Sequence, residues 1–119
     1  MRKTSFEGNP LESRDSLTSA LSQHVYCCAN DPENCKSERN YGELSRVGLK
    51  KCKSYVENLI TTRSDEANKI GVPLFISEFG ACSGSSTCAQ EIDYVVSMAD
   101  AHALSWTYYQ FKGFGDYST

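Results

Sequence analysis

A nearly continuous apolar run, VPLFISEFG at residues 72–80, most constrains the fold of this 119-residue chain. A half-exposed strand alternates apolar and polar side chains, whereas a strand inside a parallel sheet is covered on both faces and is apolar almost throughout. Gly71, directly before the run, is typical of the residue that ends a helix. The run therefore predicts a buried parallel strand that ends near Glu78.

Segments with helical periodicity lie on both sides of this strand. From Glu43 to about Lys69, apolar side chains recur at the spacing of one helix face, and Asn40 with Glu43 forms a candidate capping pair. After the strand, Thr87 and Gln90 fit a capping box for a second helix with one apolar stripe. Both helices suit crossover connections between parallel strands.

Two further strands complete the pattern. ALSQHVYCC at residues 20–28 and LSWTYYQF at residues 104–111 are rich in β-branched and aromatic side chains, whereas residues 1–19 are polar and irregular. The order strand, helix, strand, helix, strand predicts an α/β fold with parallel pairing. Two helices leave the edges and one face of such a sheet uncovered. We therefore expect residues 1–119 to form a single partial domain.

Charge and hydropathy exclude two classes of partner. The formal net charge is -3, and no dense cluster of Lys and Arg is present, so we expect no nucleic-acid partner. No segment approaches the roughly 18 consecutive apolar residues that span a bilayer. The polar start of the chain also lacks the apolar centre of a signal peptide.

Cysteine content indicates the compartment. Six cysteines in 119 residues favour an oxidising, secreted or lumenal environment. Their irregular spacing, with only His24 and His102 available as further ligands, argues against a metal site. Cys82 and Cys88 flank a short loop and are the easiest pair to join. Cys52 lies on a helix face, where a free buried thiol remains an alternative.

Candidate site residues collect at the carboxyl ends of the predicted strands, where parallel α/β folds place their reactive groups. Glu78 ends the central strand, and His24 and Tyr26 project from one face of the first strand because they are two residues apart. Tyr109 shares a face of the last strand with Ser105. A carboxylate surrounded by His, Tyr and an aromatic ring suits glycoside cleavage.

Three segments together resemble a known family. HVY at residues 24–26, PLFISEFG at residues 73–80 and LSWTYYQF at residues 104–111 resemble the sixth, seventh and eighth strands of glycoside hydrolase family 5. SEFGAC followed by a second Cys, together with SWTYYQFK and DYST, is most similar to the branch that contains endoglycoceramidases. The resemblance implies an incomplete (β/α)8 TIM barrel over residues 20–119, with three parallel strands and two intervening helices.

The resemblance also implies roles for individual residues. Glu78 corresponds to the nucleophile of a retaining mechanism, and His24 and Tyr26 match a His-x-Tyr pair that contacts the substrate and the nucleophile. Tyr109 falls where the family has a sugar-stacking Trp, so a smaller aromatic ring occupies that position. Trp106, on the opposite face of the strand, is interpreted as a packing residue. No cofactor is implied.

One expected element of the mechanism is missing. A retaining glycosidase needs a second carboxylic acid about 5–5.5 Å from the nucleophile. The family supplies it from an Asn-Glu pair on its fourth strand, and this sequence contains no Asn-Glu dipeptide. A complete barrel has about 250 residues. We therefore expect a C-terminal fragment whose partner is the rest of the barrel, inactive alone.

The expected activity of the parent protein is hydrolysis of O-glycosyl bonds in a β-glucan or in a glycosphingolipid headgroup. Two alternatives stay open from the sequence. One is a remnant in which Tyr109 and its neighbours bind carbohydrate without cleaving it. The other is a small structural protein that disulfides stabilise.

Overall fold

The polypeptide alternates strands and helices in the order that the sequence predicts. A computed structural model describes residues 18–27, 43–80, 82 and 85–109. Within these residues the elements are β1 (Leu21–Val25), α1 (Arg46–Ile70), β2 (Leu74–Phe79), α2 (Cys88–Ala101) and β3 (Ser105–Trp106).

The three strands form a parallel sheet with β2 in the centre and β1 and β3 on either side. This arrangement confirms the predicted α/β class. β3 is shorter than the predicted strand, although a further parallel bridge joins Tyr109 to Gly80 beyond its end. Residues 110 and 111 of the predicted strand lie outside the described residues.

Helix α1 begins three residues later than predicted. Ser45 is its N-cap, and the Ser45 hydroxyl accepts a hydrogen bond from the Gly48 amide at 2.9 Å. This bond satisfies an unpaired amide of the first turn, so the helix begins after Ser45 and not at Glu43. Asn40, the other member of the predicted capping pair, lies outside the described residues. Gly71 ends the helix in a left-handed conformation, as expected.

Helix α2 begins where predicted, but its capping box is absent. Thr87 occupies the N-cap position without a side-chain capping bond. Its hydroxyl instead donates to Glu91 Oε1 at 2.8 Å and accepts from the Leu44 amide at 3.1 Å. The Thr87 oxygen thus accepts from Leu44 and not from an amide of the first turn, and its proton satisfies the buried carboxyl group of Glu91.

The hydrophobic core lies between one face of the sheet and the two helices. The other face of the sheet carries exposed polar side chains, including Ser22, His24 and Thr107. The prediction that two helices leave one face uncovered is therefore confirmed for the described residues. The buried members of the core are Val25, Cys27, Leu44, Cys52, Val56, Ile60, Ala67, Leu74, Ile76, Phe79 and Val95.

Among the described residues, two disulfide bonds tie strand ends to helices. Cys82 and Cys88 are bonded, as predicted. Cys52 is bonded to Cys27, so the interpretation of Cys52 as a free thiol is wrong. Cys28 and Cys35 lie outside the described residues. Within the described parts of the chain, neither helix combines the length and the apolar character needed to cross a bilayer.

Candidate active site

Two side chains of the first strand segment converge on the carboxylate of Glu78. The Tyr26 hydroxyl donates a hydrogen bond to Glu78 Oε2 at 2.9 Å. His24 Nδ1 lies 3.2 Å from the same oxygen. The Glu78 side chain is 31% exposed, so the carboxylate can still be reached from solvent. The sequence predicts four site residues, and the structure brings three of them together: His24, Tyr26 and Glu78. They lie at the uncovered face of the sheet.

An irregularity in β2 gives Glu78 this orientation. In the pairing of β1 with β2, Gln23 is opposite Ile76, but the next residue, His24, is opposite Glu78. Ser77 is therefore an extra residue on β2, which makes a β-bulge. The bulge places Glu78 directly beside His24. The sequence did not reveal it, because Ser77 and Glu78 fit the end of a regular strand as well as a bulge, and the register with β1 cannot be read from LFISEF.

The environment of Tyr26 keeps its hydroxyl group protonated. Burial contributes most, and the hydrogen bond to Glu78 and the negative charge of that carboxylate add to it, so the pKa of Tyr26 rises above its ordinary value. Electrostatic interaction with Tyr109 acts in the same direction. Tyr26 is consequently a permanent hydrogen-bond donor to Glu78 at neutral pH.

Tyr109 is aligned with the end of β2 by its backbone. Its amide donates to the Phe79 carbonyl at 2.9 Å, and the residue is 40% exposed. Trp106 and Tyr108 point to the other side, where both rings make edge contacts with Phe79. The predicted division of faces in this strand is therefore confirmed, and Trp106 is a packing residue that is still 41% exposed.

The ends of β1 and β2, which carry Tyr26 and Glu78, are each followed by a disulfide bond. Cys27 comes directly after Tyr26 and is bonded to Cys52 in the middle of α1. Cys82 follows Glu78 by four residues and is bonded to Cys88 at the start of α2. Both bridges restrain the chain just beyond the hydrogen bond between Tyr26 and Glu78.

A second carboxyl group, which the sequence analysis missed, lies on the helix side of the sheet. Glu91 is 6% exposed, and burial raises its pKa to about 7 despite the hydrogen bond from Thr87. It borders a small cavity of about 10 Å³ together with Phe79 and Gly80. The signal was present in the sequence, because Glu91 and Val95 are four residues apart on the apolar stripe of α2.

No cluster suited to a metal ion occurs in the described part of the chain, where no three His, Cys, Asp or Glu side chains come close enough together. The site there consists of one carboxylate, one phenol and one imidazole. These groups provide a nucleophile or base with two hydrogen-bonding partners.

Comparison with known proteins identifies the family. Residues 3–115 match the model of the cellulase family, glycosyl hydrolase family 5. The chain belongs to this family. Among curated proteins, no match was found. The three parallel strands and two helices thus form part of the TIM barrel of glycosyl hydrolase family 5.

A solved structure has a similar fold. The cellulose synthase subunit Z of Clostridioides difficile superposes with a TM-score of 0.59 at 17% sequence identity. The match covers 82% of this chain and 34% of that protein, so the chain spans about a third of the length of the structure that it matches. At this identity the similarity concerns the fold alone.

Proposed function

We propose that this chain contributes the nucleophile to a retaining β-glycosidase, with Glu78 as the attacking carboxylate. The observation that carries the proposal is the hydrogen bond of 2.9 Å from the Tyr26 hydroxyl to Glu78 Oε2. A nucleophilic carboxylate must be held in one orientation while it remains accessible. A permanent donor on one oxygen, with the side chain 31% exposed, meets these requirements.

The two oxygens of Glu78 have different roles in this proposal. Tyr26 and His24 both contact Oε2, whereas none of the described residues forms a hydrogen bond with Oε1. Oε1 is the oxygen that attacks the anomeric carbon, because a lone pair without a hydrogen bond is the better nucleophile. While Oε1 reacts, the negative charge of the carboxylate is redistributed, and Oε2 keeps its hydrogen bond from Tyr26.

His24 and Tyr109 are assigned to substrate binding. His24 is exposed beside the carboxylate and can donate or accept a hydrogen bond with a sugar hydroxyl. Tyr109 is 40% exposed and its backbone pairs with Gly80, just beyond Glu78, so its ring offers a flat surface to the apolar face of a sugar. Membership of the family favours a β-linked glucan as the substrate, and a glycolipid headgroup with the same linkage is the alternative.

The general acid is proposed to come from the rest of a complete barrel. Within the described residues no other carboxylate is hydrogen-bonded to Glu78 or to Tyr26, and the sequence has no Asn-Glu pair. Without an acid, a poor leaving group such as a sugar alkoxide cannot depart. The 119-residue chain alone should therefore not hydrolyse natural glycosides.

An activated substrate tests the nucleophile without the acid. Dinitrophenyl β-cellobioside with fluorine in place of the hydroxyl next to the anomeric carbon releases a stable phenolate, which needs no proton. Attack by Glu78 forms an ester bond to the anomeric carbon as the bond to the phenolate oxygen breaks. The fluorine slows hydrolysis of that ester, so a labelled Glu78 should accumulate and be located by peptide mass spectrometry.

Two variants serve as controls in this experiment. Glu78→Gln should remove the label, whereas Glu57→Gln, an exposed carboxylate on α1, should leave it unchanged. Label on several exposed carboxylates, or a label that persists in Glu78→Gln, would contradict the proposal. Absence of any label over hours at millimolar reagent would contradict it as well.

A second candidate function is carbohydrate binding without cleavage. It is favoured by the exposure of Tyr109 and by the polar, uncovered face of the sheet on which it lies. Saturable binding of cello-oligosaccharides in the absence of labelling at Glu78 would identify this function. Tyr109→Ala should then abolish the binding, and Trp106→Ala, on the other side of the strand, should not.

The proposed location is secreted or lumenal. The two disulfide bonds Cys27–Cys52 and Cys82–Cys88 are consistent with an oxidising compartment. Protein recovered from cells with both bonds intact, under conditions that block thiol exchange, would support this location. Recovery in the fully reduced form would contradict it.

A further inference from the structure

The orientation of Glu78 depends on a single extra residue in β2. Side chains of a regular strand alternate between faces, so residue 78 should share the face of Leu74 and Ile76. Both of these are buried against the helices, at 5% and 0% exposure. After the bulge the parity changes, and Phe79 is the next buried side chain, at 1%. Without the bulge, the Glu78 carboxylate would face the apolar core.

The irregularity affects the pairing of β2 with both neighbouring strands. On the β3 side, the Thr107 amide donates to the Ile76 carbonyl, and the Tyr109 amide donates to the Phe79 carbonyl. An advance of two residues after β3, from Thr107 to Tyr109, thus matches an advance of three on β2, from Ile76 to Phe79. A regular parallel ladder advances equally on both strands. The peptide group between Ser77 and Glu78 lies in the extra segment.

The Thr107 side chain binds this peptide group. Its hydroxyl donates a hydrogen bond of 2.7 Å to the carbonyl of Ser77. Because that carbonyl belongs to the peptide plane that leads into Glu78, the bond restrains the backbone torsion from which the Glu78 side chain projects. Thr107 is exposed, so its side chain has no part in the apolar core.

We propose that Thr107 is a positioning residue for Glu78, whose hydroxyl holds the bulge that directs the carboxylate to Tyr26 and His24. Ser22 also contacts Ser77, but in a different way. Its hydroxyl is 2.5 Å from the side-chain hydroxyl of Ser77, whereas the Thr107 hydroxyl binds the backbone carbonyl. A bond between two rotatable hydroxyls does not restrain the peptide plane. The proposal extends the proposed function, but it concerns geometry that exists whether or not the chain reacts with sugars.

The experiment compares variants of the full chain by NMR, with carbon-13 at the ring carbon that carries the tyrosine hydroxyl. The Tyr26 signal, assigned with Tyr26→Phe, reports the hydrogen bond to Glu78, and Glu78→Gln supplies the reference position without the charged acceptor. Thr107→Val, which keeps the shape but lacks the hydroxyl, should move the Tyr26 signal at least halfway to that reference. Thr107→Ser and Ser22→Ala should leave the signal at its wild-type position.

Several results would overturn the proposal. These are an unchanged Tyr26 signal in Thr107→Val, or an equal displacement in Thr107→Ser or Ser22→Ala. If Thr107→Val does not fold, Thr107→Ala gives the same comparison without a methyl group beside the carbonyl. If both fail to fold while Thr107→Ser folds, the hydroxyl supports the whole sheet instead of Glu78, and the proposal fails. The glycoside label is not used, so failure of the proposed function is distinguished from failure of this inference.

Discussion

The hydroxyl of Thr87 donates a hydrogen bond of 2.8 Å to the buried carboxyl group of Glu91, one turn further along α2. The same hydroxyl accepts from the Leu44 amide, just before α1. One threonine therefore connects the start of both helices to an acidic side chain in a mostly apolar environment. Because burial raises the pKa of Glu91 to about 7, this connection depends on pH.

We predict that the folded chain is more stable at mildly acidic than at alkaline pH. The pKa of Glu91 is raised from 4.5 to about 7 in the folded state, so the folded form retains a proton that the unfolded form has lost. The free energy of unfolding should fall as pH rises from about 5 to about 7, by on the order of 1–3 kcal/mol. Urea denaturation at several pH values measures the effect.

Glu91→Gln is the control for this pH dependence. Glutamine keeps an oxygen that can accept from Thr87, and it has no charge to bury. The variant should lose the decline in stability between pH 5 and 7 and should exceed the wild type at pH 8. A decline of equal size in the variant would assign the effect to another group.

The two disulfide bonds should contribute unequally to stability. Cys27–Cys52 closes a sequence separation of 25 residues and Cys82–Cys88 one of 6. By loop entropy the first should contribute about 3.5 kcal/mol and the second about 2 kcal/mol. Paired alanine variants compared by urea denaturation check this order. A larger loss from the shorter bridge would show that native packing, and not chain entropy, determines the contribution.

Gly80→Ala should destabilise the sheet by more than about 2 kcal/mol. Gly80 has φ of +117°, and an added Cβ would lie 2.5 Å from the Tyr108 ring and 2.9 Å from the Tyr109 carbonyl oxygen. Gly71→Ala is the matched control, because its φ is also positive, at +74°, but no heavy atom lies within 4 Å of the added Cβ. It should cost about 1 kcal/mol. Equal losses in thermal unfolding would contradict the role assigned to the close approach of Tyr108 and Tyr109 to Gly80.

Ser45→Ala should cost about 1 kcal/mol, because the amide of Gly48 would lose its capping partner. Ser54→Ala, an exposed position in the interior of α1, should be neutral or slightly stabilising. Chemical denaturation of the two variants makes the comparison. No loss at Ser45 would mean that the first turn is held by other contacts.

The sequence predicted the order of elements and the convergence on Glu78 because both follow from local periodicity. Residues 72–80 could be assigned to a buried strand, and His24 and Tyr26 to one face, by counting positions. Ser77 could not be identified as an extra residue, since a bulge exists only in the register between strands. Cys27–Cys52 likewise depends on the packing of α1 against the sheet. Sequence spacing favours short loops such as Cys82–Cys88.

The prediction of a capping box at the start of α2 was wrong for a different reason. Thr87 and Gln90 satisfy the pattern of a capping box, but Glu91, the next residue, is drawn into the core and takes the Thr87 hydroxyl. In a capping box the Thr87 oxygen would accept from the Gln90 amide. Here it accepts from the Leu44 amide, while its proton is donated to Glu91. Both contacts depend on tertiary packing, which a local motif does not contain.

Tyr26→Phe should slow the labelling of Glu78 by the activated fluoro-glycoside. Loss of the hydroxyl removes a hydrogen bond to a charged group, which is worth about 1.5–3 kcal/mol, so the labelling rate should fall roughly 10- to 100-fold. Tyr55→Phe, on α1, removes a phenolic hydroxyl elsewhere in the fold and should leave the rate unchanged. Quantitative mass spectrometry of the Glu78 peptide over time provides the rates. Equal rates in the two variants would show that Tyr26 only packs against the carboxylate, and would remove the main support for a positioned nucleophile.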